Sequence, residues 1–366
     1  TQEDHVDCLV CHEQSGTYQK GNAGNPKPDV DLAAVARSVG RPTRVNCGEC
    51  HFKGGGADAV KHGDMDGTLY FPSERIDVHM GQHNLQCVDC HRTVEHQIPG
   101  CAMSVCIERR MRVNCTDCHS ERPHRHDRLD AHTQTVACQT CHIPRMAIDA
   151  PTKMSWDWSA AGQEGRTDDP HVYLKSKGAF EYAQDLRPEY YWYDGRAYRY
   201  LTGDKIDPAQ VVQINRPLGG PGDPDAKIWP FKVHRGRQIY DKQLLHLLAP
   251  QTAGPGGYWA EFDWDKACRL GSQATGLPYS GEYDFVATEM YWPLTHLVAP
   301  GKKALECNDC HARSSRLAGL SACWIPGRDH SLVLDILGWL MVAGCFAGVA
   351  YHGGRRYLIA KKNDDK

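Results

Sequence analysis

Six copies of the pattern Cys-x-x-Cys-His supply the residues with the most specific chemistry in this chain. Numbered first to sixth, the motifs are Cys8-Cys11-His12, Cys47-Cys50-His51, Cys87-Cys90-His91, Cys115-Cys118-His119, Cys138-Cys141-His142 and Cys307-Cys310-His311. In such a motif two thiols add across the vinyl groups of a porphyrin, and the adjoining histidine binds its iron. Zinc sites pair their Cys-x-x-Cys units without a histidine after every second cysteine, so six repeats favour haem over zinc. We therefore expect six covalently bound haem c groups with the motif histidines as proximal ligands.

The first five motifs lie close together, between residues 8 and 142. So short a segment cannot build five separate apolar cores, and the porphyrins must supply most of the core themselves. Haems packed this closely are expected to pass electrons from one to the next. The sequence thus predicts mainly coil and short α-helices packed around clustered c-type haems, with one C-terminal transmembrane helix.

A six-coordinate haem needs a second axial ligand, and 14 of the 20 histidines lie outside the motifs. The six that we favour as distal ligands are His62, His79, His96, His124, His132 and His296. His83 and His126 are close rivals. Cys101 and Cys106 lack a following histidine, which leaves a disulfide or two free thiols as the interpretation.

Residues 332–351 form an apolar run of 20 residues with one charged residue, Asp335. This length suits a helix that crosses a bilayer, and a buried core helix is the alternative. Arg355, Arg356, Lys361 and Lys362 follow the run, so the C-terminus is expected on the cytoplasmic side. The haems would then lie in the periplasm, anchored to the cytoplasmic membrane. The chain begins at Thr1, which indicates either a removed signal peptide or a start within a longer protein.

Five segments follow from these patterns. They are a five-haem region at 1–149, an aromatic-rich excursion without haem motifs at 150–300, a sixth-haem segment at 301–330, a transmembrane helix at 331–353 and a basic tail at 354–366. Helices are predicted at 29–39, 241–248 and 285–297. The aromatic side chains of the excursion could shape a substrate pocket, but shielding the haems from water is the simpler interpretation. The net charge of −3 gives no reason to expect a nucleic-acid partner.

Several long phrases resemble the octahaem tetrathionate reductase family of multihaem cytochromes. The phrases are DCLVCH at 7–12, GTYQK at 16–20, VKHGDMDG at 60–67, DVHM at 77–80, TVACQTCHIP at 135–144, KMSWDWS at 153–159, AKIWPFKVH at 226–234 and SGEYDFVATEMYWPLTHLVAP at 280–300. They recur in order up to about residue 330. The family carries eight haems, and the first motif here resembles its third, so this chain lacks the first two.

The resemblance implies reduction of a small sulfur or nitrogen oxo-compound such as tetrathionate, nitrite or hydroxylamine. The family's catalytic haem, with a lysine in place of the distal histidine, is the second and is absent here, but the lysine itself is expected at Lys20. The membrane helix, which soluble members lack, implies exchange with the quinone pool through a b-type cytochrome subunit. The alternative is a pure relay between a quinol-oxidising membrane partner and a periplasmic redox protein, without a catalytic haem of its own.

Overall fold

The computed structural model describes residues 7–21, 24–54, 57–100, 103 and 113–364. The predictions for Cys101 and Cys106 concern residues outside these ranges. The chain forms two compact units, residues 1–305 and 306–366. The first contains the first five motifs and the aromatic-rich excursion, and the second contains the sixth motif and the apolar C-terminal helix.

Short helices carry the motifs of the first unit. In chain order the helices of this unit are α1 (Cys8–His12), α2 (Leu32–Arg37), α3 (Arg44–His51), α4 (Cys87–Cys90), α5 (Asp127–His132), α6 (Cys138–His142), α7 (Tyr258–Glu261) and α8 (Trp264–Thr275). Shorter 3-10 turns lie at Gly67–Leu69, Cys115–Asp117, Trp158–Ala160 and Gly301–Lys303, and a π-helical turn lies at Val78–Gln82. The helix expected at 29–39 is present as the shorter α2, which begins after Asp31 because that side chain caps the N–H groups of Ala33 and Ala34.

The excursion forms a β-sheet, so the expectation of mainly coil and short helices is wrong for this part of the chain. The strands are β1 (Thr152–Asp157), β2 (Tyr173–Leu174), β3 (Gly178–Ala183), β4 (Glu189–Tyr193), β5 (Ala197–Arg199), β6 (Val212–Gln213), β7 (Asn215–Pro217), β8 (Lys227–Asp241), β9 (His246–Leu247) and β10 (Tyr283–Pro293). Eight of them form one sheet in the order β2-β3-β1-β8-β10-β6, with β4 and β9 also paired to β8, while β5 and β7 form a separate pair.

The helices predicted at 241–248 and 285–297 are wrong. β10 covers most of the second range and pairs antiparallel with β8 along its whole length of 11 residues. Val286 and Thr288 point into the core while Ala287 between them is exposed, which is the alternation of a strand. The first range contains the tight turn that joins β8 to β9, together with β9 itself. The Asp241 carboxylate stabilises the turn by accepting from the N–H groups of Gln243 and Leu244.

The sheet packs against the five-haem region through a shared apolar core. This cluster combines Phe52, Leu69 and Ile76 with Ile143 and Met146, and the end of the excursion adds Leu294 and Leu297. A buried hydrogen bond also links the haem region to the sheet, since the Thr140 hydroxyl donates to the Ile228 carbonyl at 2.7 Å. The excursion therefore returns to the haem region at residues 294–298 and presents His296 there.

The second unit comprises α9 (Cys307–Cys310) and a long helix, α10 (Leu332–Asp364). Arg328 closes the loop between them by donating to the carbonyls of Leu317, Leu320 and Cys323. α10 is long and apolar enough to cross a membrane, and the apolar window within it is exposed rather than packed in a core. Length and composition therefore fit a membrane-spanning helix, while its orientation stays a prediction.

Candidate haem sites

The cysteines of all six motifs are free thiols, which is the form that haem attachment requires. Each thiol stands in for the thioether sulfur that it would become after reaction with a porphyrin vinyl group. A single helical or 3-10 turn brings the two sulfurs and the histidine of each motif to one place. At the first motif this turn begins at Asp7, whose carboxylate accepts from the Leu9 N–H at 2.9 Å.

Three of the motif histidines have ring nitrogens oriented to bind iron. The Nδ1 atom of His12 lies 2.9 Å from the Gly40 carbonyl, and that of His91 lies 2.6 Å from the Pro99 carbonyl. A carbonyl only accepts, so each Nδ1 must carry the proton and Nε2 is left as the unprotonated nitrogen that binds a metal. In the second unit, His311 Nδ1 makes the same bond to the Pro326 carbonyl at 2.9 Å.

Four proximal histidines each face one of the favoured distal histidines. The ring centres are 6.1 Å apart for His12 and His96, 6.1 Å for His119 and His79, 6.5 Å for His91 and His296, and 6.3 Å for His142 and His124. Two metal–nitrogen bonds of about 2 Å, with about 1.1 Å from each nitrogen to its ring centre, place the centres of two axial imidazoles roughly 6.2 Å apart. These pairs therefore fit an iron between them, as the two axial ligands of a haem.

The ring planes of the four pairs differ. Those of His124 and His142 are 12° apart and those of His91 and His296 are 26° apart, while the other two pairs cross at 64° and 76°. The relative angle of two axial imidazoles sets the magnetic anisotropy of a low-spin ferric haem. The structure thus offers two near-parallel and two near-perpendicular sites.

Buried carboxylates hold three of the favoured histidines in place. Asp77 accepts from the backbone N–H groups of His79 and Met80 and, through its other oxygen, from that of Val298. Asp130 accepts from His124 through both the backbone N–H at 3.0 Å and Nδ1 at 3.1 Å. Asp64 does the same for His296, at 3.0 Å and 3.2 Å. The bonds from Nδ1 of His124 and His296 would fix the orientation of a ligand ring and raise its basicity, whereas Asp77 fixes the backbone that carries His79.

His96 is held by backbone conformation instead. It and Glu95 both have positive φ, 64° and 49°, at the centre of a tight turn closed by pairing between Val94 and Gln97. Non-glycine residues adopt this conformation at a cost, and such outliers concentrate at functional sites. Here the turn directs His96 towards His12.

The two remaining favoured histidines are less completely paired in the structure. Burial is the largest cause of the lowered pKa of His62; Asp64 opposes the lowering, and His296 adds to it. The His62 ring also packs edge-on against Trp292, with 4.9 Å between ring centres. His132 donates from Nδ1 to the Arg128 carbonyl at 2.6 Å, the same bond that the proximal histidines make. As distal ligands both stay predictions.

Of the two rivals, His126 caps α5 by accepting from the Arg128 N–H through Nδ1. His83 is exposed at the end of the π-helical turn. Neither has a hydrogen bond to a carbonyl or carboxylate that would orient its ring for iron among the contacts of the described residues.

The first five motifs follow one another in space as they do in the chain. Burial and the nearby thiols of Cys47 and Cys50 raise the pKa of Cys11, which places the first motif beside the second. A hydrogen bond with Cys87 and then burial raise the pKa of Cys47, which places the second motif beside the third. Burial and the nearby Cys118 thiol raise the pKa of Cys90, which places the third motif beside the fourth.

The fourth and fifth motifs meet in the same way, because a hydrogen bond with Cys138 is the largest cause of the raised pKa of Cys115. Since each sulfur would be bonded to a porphyrin edge, contact between sulfurs of successive motifs brings successive haem edges together. Cysteines of successive motifs in the first unit are therefore neighbours, in chain order.

Lys20 lies beside the first motif. Its Nζ atom forms an ion pair with Asp7 at 2.8 Å, and the Tyr18 hydroxyl donates to the same carboxylate. The side chain is about one-third exposed. Lys20 thus forms an ion pair at the surface beside the first motif, and its catalytic role stays a prediction.

The sequence did not predict the carboxylates that contact the favoured histidines. Asp64, Asp77 and Asp130 are buried, and each contacts a histidine or its backbone. A signal was present in the phrases His62-x-Asp64 and Asp77-x-His79, where an aspartate lies two residues from a favoured histidine.

Comparison with known proteins agrees with this geometry. A family model described as "Cytochrome c bacterial" matches residues 153–314, and no curated protein matches the chain. The crystal structure of octaheme cytochrome c from Shewanella oneidensis superimposes with a TM-score of 0.79 at 48% sequence identity, over 85% of this chain and 73% of that one. The chain therefore belongs to the family of bacterial multihaem c-type cytochromes that includes this octaheme protein.

Proposed function

We propose that the first unit conducts electrons along a row of bis-histidine haems. The observation that carries the proposal is the set of four histidine pairs with ring centres 6.1 to 6.5 Å apart. A haem with two imidazole ligands has no open position for a substrate, and its iron changes oxidation state without gaining or losing a ligand. The haems supply the redox chemistry when bound, while the protein supplies the ligands, the order of the sites and exclusion of water.

Interrupting the row tests this proposal. C87A/C90A removes the third haem, which lies in the middle, and C8A/C11A removes the first haem, which lies at one end. Both proteins lose one attached haem, so they are matched in mass and in number of redox centres. In fast-scan voltammetry of the adsorbed protein, C87A/C90A should lose the signals of all haems beyond the missing third one. C8A/C11A should lose the signal of one haem only. Equal losses in the two variants would contradict conduction along the row.

We further propose that α10 anchors the haem-bearing part of the chain to the cytoplasmic membrane, with the haems in the periplasm and the C-terminus inside. The support is the length and exposure of the helix and the basic residues after its apolar run. Electrons would then be exchanged with the quinone pool, through a b-type cytochrome subunit, and with a periplasmic redox protein at the other end of the route. Protease treatment of intact spheroplasts tests the orientation, since a tag at the C-terminus should be protected.

A second candidate function is reduction of a small sulfur or nitrogen oxo-compound, as in tetrathionate reductases. It is favoured by the position of Lys20 next to the first motif, in a polar cluster with Asp7 and Tyr18. A substrate-reducing protein would lose turnover of tetrathionate, nitrite or hydroxylamine in K20M while retaining six haems. K27M is a suitable control, because Lys27 is an exposed neighbour that contacts Gln19. Equal turnover in K20M and wild type would remove Lys20 from the mechanism.

A further inference from the structure

One short segment at the end of the excursion contacts the third, fourth and fifth haem sites. We call residues 296–299 the strap. The strap begins with His296, whose ring centre lies 6.5 Å from that of His91 in the third motif. Its other contacts with haem sites are backbone hydrogen bonds to the segments that carry the fourth and fifth sites.

Val298 joins the strap to the fourth site. Its N–H donates to Asp77 Oδ2 at 2.9 Å, and its carbonyl accepts from the Val78 N–H at 2.8 Å. Asp77 Oδ1 accepts from the backbone N–H of His79 at 2.8 Å, and the His79 ring faces that of His119 in the fourth motif. Two hydrogen bonds therefore tie the strap to the turn that presents His79.

Ala299 joins the strap to the fifth site. Its N–H donates at 2.8 Å to the carbonyl of His142, the histidine of the fifth motif, whose ring faces that of His124. Just beyond the strap, the Leu305 N–H donates to the Cys141 carbonyl of the same motif at 3.0 Å. Four consecutive residues thus contact the ligand-bearing segments of three sites.

Leu297 fixes the shape of the strap. Its side chain is 1% exposed and belongs to the apolar core cluster that includes Phe52 and Ile143, the residue after His142. Its backbone has a φ of 66°, a left-handed conformation that a bulky residue adopts only where the surrounding structure holds it. Burial of the side chain thus holds the strap in a conformation that the backbone alone would not adopt.

We infer that Leu297 is a positioning residue that, through the strap, sets the ligand geometry of the third, fourth and fifth haems together. Side chains in a close-packed core cannot shift without moving their neighbours. A displacement of Leu297 therefore reaches His296 directly and the other two sites through the backbone bonds on its C-terminal side. The inference rests on the proposed row of bis-histidine haems.

The variant L297A tests the inference because it removes buried volume and leaves every hydrogen bond of the strap possible. In EPR of the oxidised, haem-loaded protein, the low-spin signals of the third, fourth and fifth haems should shift in g-value. The signal of the first haem, between His12 and His96, should not shift. Double cysteine variants that each remove one haem assign the signals.

L69A is the matched control. Leu69 is 2% exposed and belongs to the same core cluster, but its backbone N–H donates to the Asp66 carbonyl and not to the strap. L69A should leave the signals of the third, fourth and fifth haems unchanged. Unchanged signals in L297A, a shift confined to the third haem, or the same three shifts in L69A would each overturn the inference.

If L297A does not assemble, D77N decides. The amide oxygen can still accept from the His79 N–H, while the amide nitrogen faces the Val298 N–H and breaks that bond to the strap. The signals of the third and fourth haems should then shift together. A shift of the fourth haem alone, or no shift, would overturn the inference.

Failure of the underlying ligand pairing would be visible separately. Wild-type protein whose third, fourth or fifth haem lacks a distal histidine would show a high-spin ferric signal before any substitution is made. A low-spin wild type with unchanged signals in L297A would instead reject only the role of Leu297.

Discussion

Replacement of His79 by alanine should remove the distal ligand of one haem and leave the other sites intact. The His79 ring lies 6.1 Å from that of His119, the spacing of two imidazoles on one iron. Its position is set by the π-helical turn Val78–Gln82, which Asp77 caps through the backbone rather than through the imidazole. The turn should therefore persist in H79A, with a gap opposite the iron of the fourth haem.

The size of the effect follows from the number of motifs. One haem of six, roughly one-sixth of the ferric haem, should change from low-spin to high-spin, and the optical band characteristic of high-spin haem should appear in that proportion. Added imidazole should enter the gap and restore the low-spin spectrum. Quantitative EPR of the oxidised protein, with haem content fixed by the pyridine haemochrome method, measures the proportion.

H83A is the matched control for this experiment. His83 lies at the end of the same turn, is exposed, and is a close rival of the six favoured histidines on sequence grounds. H83A should stay wholly low-spin. A low-spin H79A together with a high-spin H83A would refute the ligand assignment, and a loss of several haem sites in H79A would refute the view that the turn is held independently of the ligand.

Three further predictions concern the attachment sites, the anchor and the join between haem region and sheet. Intact mass should show six haems, and a seventh would mean that a cysteine pair outside the motifs is used. Deletion of residues 331–366 should release the protein from membranes into the periplasmic fraction, and continued sedimentation with membranes would count against the anchor. D77A should lower the free energy of unfolding by about 1–3 kcal/mol, because it leaves buried N–H groups of His79 and Val298 without an acceptor; a denaturant midpoint equal to that of wild type would contradict this.

The sequence predicted the positions of the haem motifs better than it predicted the fold around them. The motif directly identifies the residues that would bond to a haem. The clustering of histidines between residues 62 and 132 reflects the crowding of sites that the structure shows. Four favoured histidines lie opposite a proximal histidine at axial-ligand spacing, and this includes His296, which is far from its motif in sequence.

The sheet was not predicted because its stabilising contacts join residues that are far apart in the sequence. Residues 285–297 carry apolar side chains at spacings that suit either a helix or a strand, and the choice is made by β8, more than 40 residues earlier in the chain. Asp64 was missed for a similar reason. Its partners Thr295 and His296 lie about 230 residues away, and an aspartate in a glycine-rich phrase reads locally as a turn residue.

The most direct test of the central claim is the location of the iron atoms in the haem-loaded protein, by anomalous diffraction at the iron edge. The account predicts one iron midway between the rings of each of the pairs His12–His96, His79–His119, His91–His296 and His124–His142. It also predicts that the irons of the first five motifs follow one another in a single row, in chain order. An iron with water or another side chain opposite its proximal histidine at any of these four sites would contradict the account, and so would an iron of these five outside the row.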